Sequence, residues 1–341
     1  MDNPHDGTQR GTVIESIAFR NFKALRNTHV ALTPFNLVIG PNGSGKTSLM
    51  EAMQRLRTLS KLPLSDEASG AQQAGGPEIE FRFAAPHEGI VARMGCVSDV
   101  QCDTLRIEPA AAPGWPALCA DIGTIRSYVL DHRTMAGASM RADGATLHGD
   151  GGNLAAVLFQ LRTNAPAAFA ALTTDLLRIM PEFRALELTE TGDEHVGLAL
   201  RLTEDGLVPA EGLSQGILCL LGVLALAFDP DPPRVLCIEE PDRGIHPRML
   251  REIRDALYRL SYPEASGSKR RAVQIVTTTH SPYFIDLFRE HPEEIVISQK
   301  KGRAAVFERL SDRGDLKELL SEGSLGDMWF SGILGGVPEE R

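Results

Sequence analysis

The chain has 341 residues, 43% of them hydrophobic and 23% charged, with a formal net charge of −10. That length and balance predict one large α/β domain or two smaller ones with ample core, and exclude a disordered or fibrous chain. The acidic surplus excludes wrapping of nucleic acid by bulk electrostatics and leaves only a local basic groove for such a partner. Five cysteines, Cys96, Cys102, Cys119, Cys219 and Cys237, form no C-x-x-C pair and no ligand spacing with histidine, so buried thiols in a reducing cytoplasm are expected. No cleavable apolar segment opens the chain, and the longest apolar run, Ile217 to Phe228, is too short to span a bilayer. A cytoplasmic protein with no membrane partner is the expectation.

Met1 to Gly11 is polar. Thr12 to Phe19 alternates apolar and polar residues, and Asn27 to Leu32 supplies a second short strand, so two antiparallel strands are predicted ahead of the run Leu37-Val38-Ile39. After that run comes Gly40-Pro41-Asn42-Gly43-Ser44-Gly45-Lys46-Thr47-Ser48. An apolar β-branched strand, a glycine-rich turn and a helix from Thr47 to about Leu62 are the context that the pattern G-x-x-x-x-G-K-[ST] requires of a phosphate-binding loop. The glycines let the backbone N–H groups turn inward, and the helix adds the positive end of its dipole. Asn42, Gly43, Ser44, Gly45, Lys46, Thr47 and Ser48 are the candidate nucleotide contacts. Lys46 would neutralise the β- and γ-phosphates of ATP, and Thr47 offers a hydroxyl to Mg²⁺.

Pro63 marks the predicted end of that helix. Ser65 to Pro77 reads as a connection, Glu78 to Phe83 as a strand, and Val97 to Ile107 as a candidate strand pair. Between Ser127 and Leu188 the character turns helical, with helices over Asn153 to Arg162 and Ala167 to Met180, the second opened by Asn164 ahead of Pro166. Ala185 to Glu190 and Val196 to Thr203 return to strand around a Thr191-Gly192-Asp193 turn. The expected organisation is a single head over 1–341. It comprises N-terminal strands and phosphate loop (12–62), a β-rich connection (63–127), a helical insertion (128–190), a second motif-bearing half (191–300) and a tail (301–341).

Three downstream motifs specify the chemistry. Ser214, within Leu213-Ser214-Gln215-Gly216, is expected to cap the apolar helix that follows, whose N–H groups can receive a phosphate. Val235 to Ile238 is an apolar strand ending in Glu239 and Glu240. At the C-terminal end of a buried parallel strand, Glu239 is placed to hold Mg²⁺ and Glu240 to accept a proton from the attacking water. Val273 to Thr279 is another buried strand, and His280 at its end is placed to sense the γ-phosphate. Glu240, His280 and Lys46 are the candidate catalytic residues.

In this order the motifs resemble the ABC-type ATPase heads of the SMC-like group, and more narrowly the stand-alone ATPases related to the OLD proteins. The carriers are Ile17-Ala18-Phe19-Arg20-Asn21-Phe22-Lys23, the phosphate loop, Glu239-Glu240-Pro241-Asp242-Arg243-Gly244-Ile245-His246-Pro247 and Thr278-Thr279-His280-Ser281-Pro282. The resemblance implies an α/β P-loop NTPase: an ABC-type ATPase head with a mixed sheet, an antiparallel β subdomain and a helical insertion. It also implies Glu240 as base, Ser214 and Gly216 as contacts to nucleotide on a second copy, Asp242 to His246 near a dimer seam, and His280 as a switch. The chain departs from the pattern in its single-glycine signature, in Glu239 where an Asp is usual, and in lacking a heptad-repeat arm. The metal-linking glutamine stays open among Gln54, Gln72, Gln73 and Gln101. No separate nuclease domain is expected after His280, and the tail around Trp329 and Phe330 either packs on the core or offers a partner surface.

The expected function is an ATP-hydrolysing switch: a homodimer driven by ATP that controls a partner effector or nuclease, with DNA as a further partner. DNA repair or phage defence follows from the resemblance alone. The alternative is a nucleotide-gated DNA-binding or scaffold module with negligible turnover, whose basic clusters are Lys269-Arg270-Arg271 and Lys300-Lys301-Gly302-Arg303. The Phe22-Lys23 pattern, the Glu-Glu-Pro strand end and the helical insertion argue against a transporter subunit. His280 and the Ser214 loop argue against a kinase or GTPase.

Overall fold

The structure is a computed structural model and describes residues 11–64, 76–192, 194–302 and 304–335. Alternating burial makes strands of Ile14–Phe22 (β1) and Leu25–Ala31 (β2), which turn Ile17, Phe19, Phe22 and Val30 inward and their charged residues outward. The fully buried run Phe35–Ile39 (β3) leads through the glycine turn into helix α1, Lys46–Leu59. β4 (Glu78–Phe83), β5 (Val91–Ser98) and β6 (Gln101–Glu108) follow. The sheet order β2-β1-β4-β5-β6 is antiparallel at every pairing. Phe19, Phe22, Phe81, Phe83, Met94 and Leu105 of this sheet share one core with Leu49, Met53 and Leu56 of α1, each such side chain contributing about 1.5–3 kcal/mol by burial. This is the expected antiparallel β subdomain.

After α2 (Trp115–Gly123) and β7 (Arg126–Tyr128) come α3 (His132–Met135), β8 (Ser139–Met140), α4 (Leu154–Asn164) and α5 (Pro166–Ile179). β9 (Phe183–Thr191), β10 (His195–Leu202), β11 (Leu207–Pro209) and α6 (Gln215–Ala227) complete this stretch. Then β12 (Val235–Glu239) and α7 (Leu250–Ser261) precede β13 (Gln274–Thr279), α8 (Pro282–Asp286), β14 (Ile295–Lys301), β15 (Ala304–Arg309), α9 (Leu316–Glu322) and α10 (Leu325–Phe330). The order β15-β14-β3-β13-β12-β7 forms a mixed sheet: β3 pairs parallel with β13 and β14, and β14 pairs antiparallel with β15.

The chain divides into two units, each discontinuous in sequence. The first holds Met1–Ser127, Pro233–Cys237 and Ser261–Arg341; the second holds Tyr128–Pro232 and Ile238–Leu260. In the second unit β10 pairs antiparallel with β9, β11 and β8. α6 is buried at every position from Gly216 to Ala227, as a helix apolar on all sides must be. Arg178 on α5 grips Glu252 on α7 through two hydrogen bonds of 3.0 and 2.6 Å.

Several expectations need correcting. The candidate pair within Val97–Ile107 is a longer hairpin whose turn falls at Asp99 and Val100, between β5 and β6. That hairpin sets Cys96 directly opposite Cys102, and the two form a disulfide; buried thiols hold only for Cys219 and Cys237. No side chain caps α5, and Ala165, not Asn164, precedes its first-turn Pro166. The tail divides: Trp329 is 7% exposed and Phe330 82% exposed, so the first packs inward and the second faces solvent. Gln72 and Gln73 lie outside the described residues, as do Asp193 and Arg303.

Candidate functional site

In the first unit, β3 ends at Ile39 and the chain turns through Gly43 at φ 75° and Gly45 at φ 98°, backbone that glycine adopts without penalty. A Cβ on Gly40 would stand 2.3 Å from the carbonyl oxygen of Ser298, and one on Gly45 would stand 2.8 Å from Leu25. The turn is therefore pressed between β14 and β2, and the Ser298 hydroxyl donates to the Ser44 carbonyl. Lys46 is buried and its ammonium donates to the carbonyls of Gly40 at 2.7 Å and Pro41 at 3.0 Å, which curls the loop around its own charge. No side chain caps α1, and the positive end of its dipole is left to the loop.

His280 follows the last residue of β13, whose Thr279 sits in register with Ile39 of β3. His280 and Gly40 thus leave two adjacent parallel strands at the same level. Every residue of β13 is buried and His280 is exposed. Thr279 Oγ1 accepts from Ser281 N at 2.9 Å, and Ser281 caps α8 through Phe284 N at 3.3 Å. Among the aromatic side chains, Trp329 of α10 lies against the His280 ring, centroid to centroid 6.5 Å.

In the second unit, Ser214 is the N-cap of α6 and its hydroxyl accepts from Ile217 N at 3.4 Å, as its position ahead of the apolar run predicted. Gly216 is buried against the turn that follows Glu240. That turn is closed by Arg243 N donating to Glu240 O at 3.0 Å and Ile245 N donating to Asp242 O at 3.1 Å. Glu239 ends β12, and Glu240 follows at φ 44°, a left-handed backbone rare for a residue with a side chain. Asp242 is buried, and burial pushes the Cys219 thiol of α6 up to about 11.

Asn42 to Ser48 and His280 fall on the first unit; Ser214, Gly216, Glu239 and Glu240 fall on the second. The donor set of the first fits a polyphosphate: glycine-turn N–H groups, an uncapped helix, a buried ammonium, the exposed Thr47, and the Ser44 hydroxyl, which is buried without a partner. Mg²⁺ keeps water and phosphate ligands and needs only one or two protein oxygens. Among the described residues no group of three or more His, Cys, Asp or Glu could hold a metal by itself. The sequence reading did not find Ser298, for which a serine inside the apolar run of β14 was the available signal; it named Gly244 only within the Asp242 to His246 stretch and Trp329 only as a tail residue, and placed neither beside Gly216 or His280.

Comparison with known proteins bears on the fold and its sequence relatives. Residues 13–92 match a family model described as "AAA ATPase domain". Residues 129–286 match one described as "AAA domain, putative AbiEii toxin, Type IV TA system". The OLD nuclease of Thermus scotoductus is 23% identical over 92% of this chain and 68% of that protein. Among solved structures, an SMC head bound to the C-terminal winged-helix domain of ScpA aligns with a TM-score of 0.58 at 14% identity, covering 87% of this chain and 97% of the other. The SMC head domain from Thermotoga maritima aligns at 0.50 and 13%, over 87% and 98%. The chain thus has the fold of SMC heads, two of its segments match AAA ATPase-domain models, and its sequence is similar to that of an OLD nuclease.

Proposed function

We propose that this chain binds ATP with Mg²⁺, hydrolyses it, and works as a nucleotide-driven dimerisation switch that controls an effector, with a nuclease as the leading candidate. The observation that carries the reading is the composition of the two units. One bears a complete phosphate loop with Lys46 and Thr47, and the other bears the Ser214-capped N-terminus of α6 packed against the turn after Glu240.

In this reading the loop N–H groups and Lys46 bind the β- and γ-phosphates. Thr47 and Glu239 would hold Mg²⁺, which would supply charge neutralisation to the phosphates. Glu240 takes a proton from the attacking water, and His280 donates to the γ-phosphate. Ser214 and Gly216 present the α6 N-terminus to nucleotide held by a second copy, so the γ-phosphate bridges two chains and its loss releases them. The likeness to a nuclease and to heads solved with ScpA supports an effector read from this state. DNA repair or phage defence would be the setting that the OLD likeness favours.

The test is Glu240→Gln in light scattering with ATP and Mg²⁺, beside wild-type hydrolysis. A stable ATP-dependent dimer of the variant and slow turnover by wild type are expected. Particle mass indifferent to ATP, with normal hydrolysis by the variant, would overturn the reading.

A second reading has one observation in its favour. Arg234, Arg270 and Arg271 line a cleft of about 420 Å³ in the first unit, where Asp121 lies 3.3–3.4 Å from two of these guanidiniums. A surplus of guanidinium over carboxylate suits the phosphates of DNA, and the chain would then be a nucleotide-gated DNA-binding module with negligible turnover. Anisotropy of a labelled duplex, lost in Arg270→Ala/Arg271→Ala and steeply salt-dependent, would favour it.

A further inference from the structure

We infer that Trp329 is a positioning residue for His280, so that the C-terminal helix sets the ring which meets the terminal phosphate. The inference rests on the role given to His280 above. The backbone on either side of His280 is held: β13 is buried to its end, and Ser281 is tied both to Thr279 Oγ1 and to the first turn of α8. His280 is exposed, and its ring has Trp329 as an aromatic neighbour, at a separation and tilt (6.5 Å, 45°) within the range of interacting ring pairs.

The Trp329 wall is itself rigid. α10 is docked on the helix that begins two residues after His280. Gly326 N donates to Asp286 Oδ1 at 2.8 Å, and a Cβ on Gly326 would stand 2.6 Å from Pro282 O. Ser324 caps α10 through Asp327 N at 3.0 Å, and Leu325, Met328 and Leu334 are buried beside it. An indole beside the imidazole narrows the rotamers open to the ring, and precise placement of such a group matters to rate more than to binding. α10 therefore acts on the phosphate end of the site through one ring.

The experiment uses the full chain with three variants: Trp329→Leu, which keeps an apolar plug but loses the ring, Trp329→Phe, which keeps a ring, and His280→Gln. Two readouts separate positioning from stability. In nucleotide-free protein with ¹³C-labelled histidine, the His280 ring resonance is expected to move in Trp329→Leu and to be largely retained in Trp329→Phe. For hydrolysis, Trp329→Leu is expected to lower kcat about 3- to 10-fold at unchanged KM, with recovery in Trp329→Phe. In a His280→Gln background, Trp329→Leu should cost nothing further.

An unmoved His280 resonance, or an equal kcat loss with and without His280, overturns the inference. A wild type that hydrolyses no ATP defeats the function reading alone, because the resonance still decides whether Trp329 orients the ring. Should Trp329→Leu fail to fold, Trp329→Met, which also fills the space without a ring, takes its place in both readouts, with the same results expected.

Discussion

A Cβ on Gly216 would stand 2.5 Å from the carbonyl oxygen of Gly244. The signature turn ahead of α6 and the turn after Glu240 are thus packed backbone against backbone, and the contact is mutual, since a Cβ on Gly244 would stand 2.7 Å from Gln215. Gly216→Ala has no flexible side chain to push aside and must shift one turn or the other. We expect a loss of about 1–3 kcal/mol in the stability of the second unit, together with loss of ATP-dependent dimerisation. Thermal unfolding beside light scattering checks both. A variant as stable as wild type that still dimerises would show that the two turns separate without cost.

Lys46 makes its two hydrogen bonds to Gly40 and Pro41 carbonyls within its own loop. A triphosphate would take over this ammonium, so Lys46→Ala should lose charge-assisted bonds of about 1.5–3 kcal/mol, a fall of roughly 10- to 150-fold in ATP affinity. Titration calorimetry with ATP and Mg²⁺ measures it. Because the ammonium also fills the loop, a drop in unfolding midpoint without nucleotide is expected in the same variant.

Glu240 sits at φ 44°, where a side chain costs about 1 kcal/mol that glycine does not. Replacing it should therefore separate stability from function. Glu240→Gly is expected to equal or exceed wild type in urea unfolding while losing at least 100-fold in kcat, the usual contribution of a general base. Strain held at a working residue gives this pattern. A variant that is both inactive and markedly less stable would mean that the carboxylate holds the turn together.

The phosphate loop, the two acidic residues, the Ser214 cap and the strand before His280 were legible because each is a local pattern: a glycine turn between strand and helix, or an apolar run with a polar end. Alternation marked β1, β2 and β4 as strands, whereas the mixed sheet and the antiparallel subdomain were implied by the family resemblance. What escaped depends on partners distant in sequence. Cys96 meets Cys102 only because the β5–β6 turn falls at Asp99 and Val100, and a shift of one residue would have separated them. Trp329 and Phe330 are neighbours in an apolar tail, and only the helical turn that docks α10 on α8 sends one inward and the other to solvent. The division into two units crosses the chain four times, which no composition shift announces.

Gln274 is the polar residue whose burial matters most to how β1 enters the fold. It has no exposed surface, accepts from Val13 N at 3.1 Å and Ile14 N at 2.8 Å, and donates to Ile14 O at 2.8 Å and Thr33 O at 3.2 Å. One side chain at the start of β13 thereby satisfies backbone groups from two segments of the first unit. Gln274→Leu preserves the volume but leaves two donors and two acceptors to find other partners in a dry core, at about 1–3 kcal/mol for each that finds none. We expect a net loss of about 3–5 kcal/mol, read as a lower urea midpoint at unchanged m-value. Equal stabilities for wild type and Gln274→Leu would mean that the β1 backbone is held by its pairing with β2 and β4 alone.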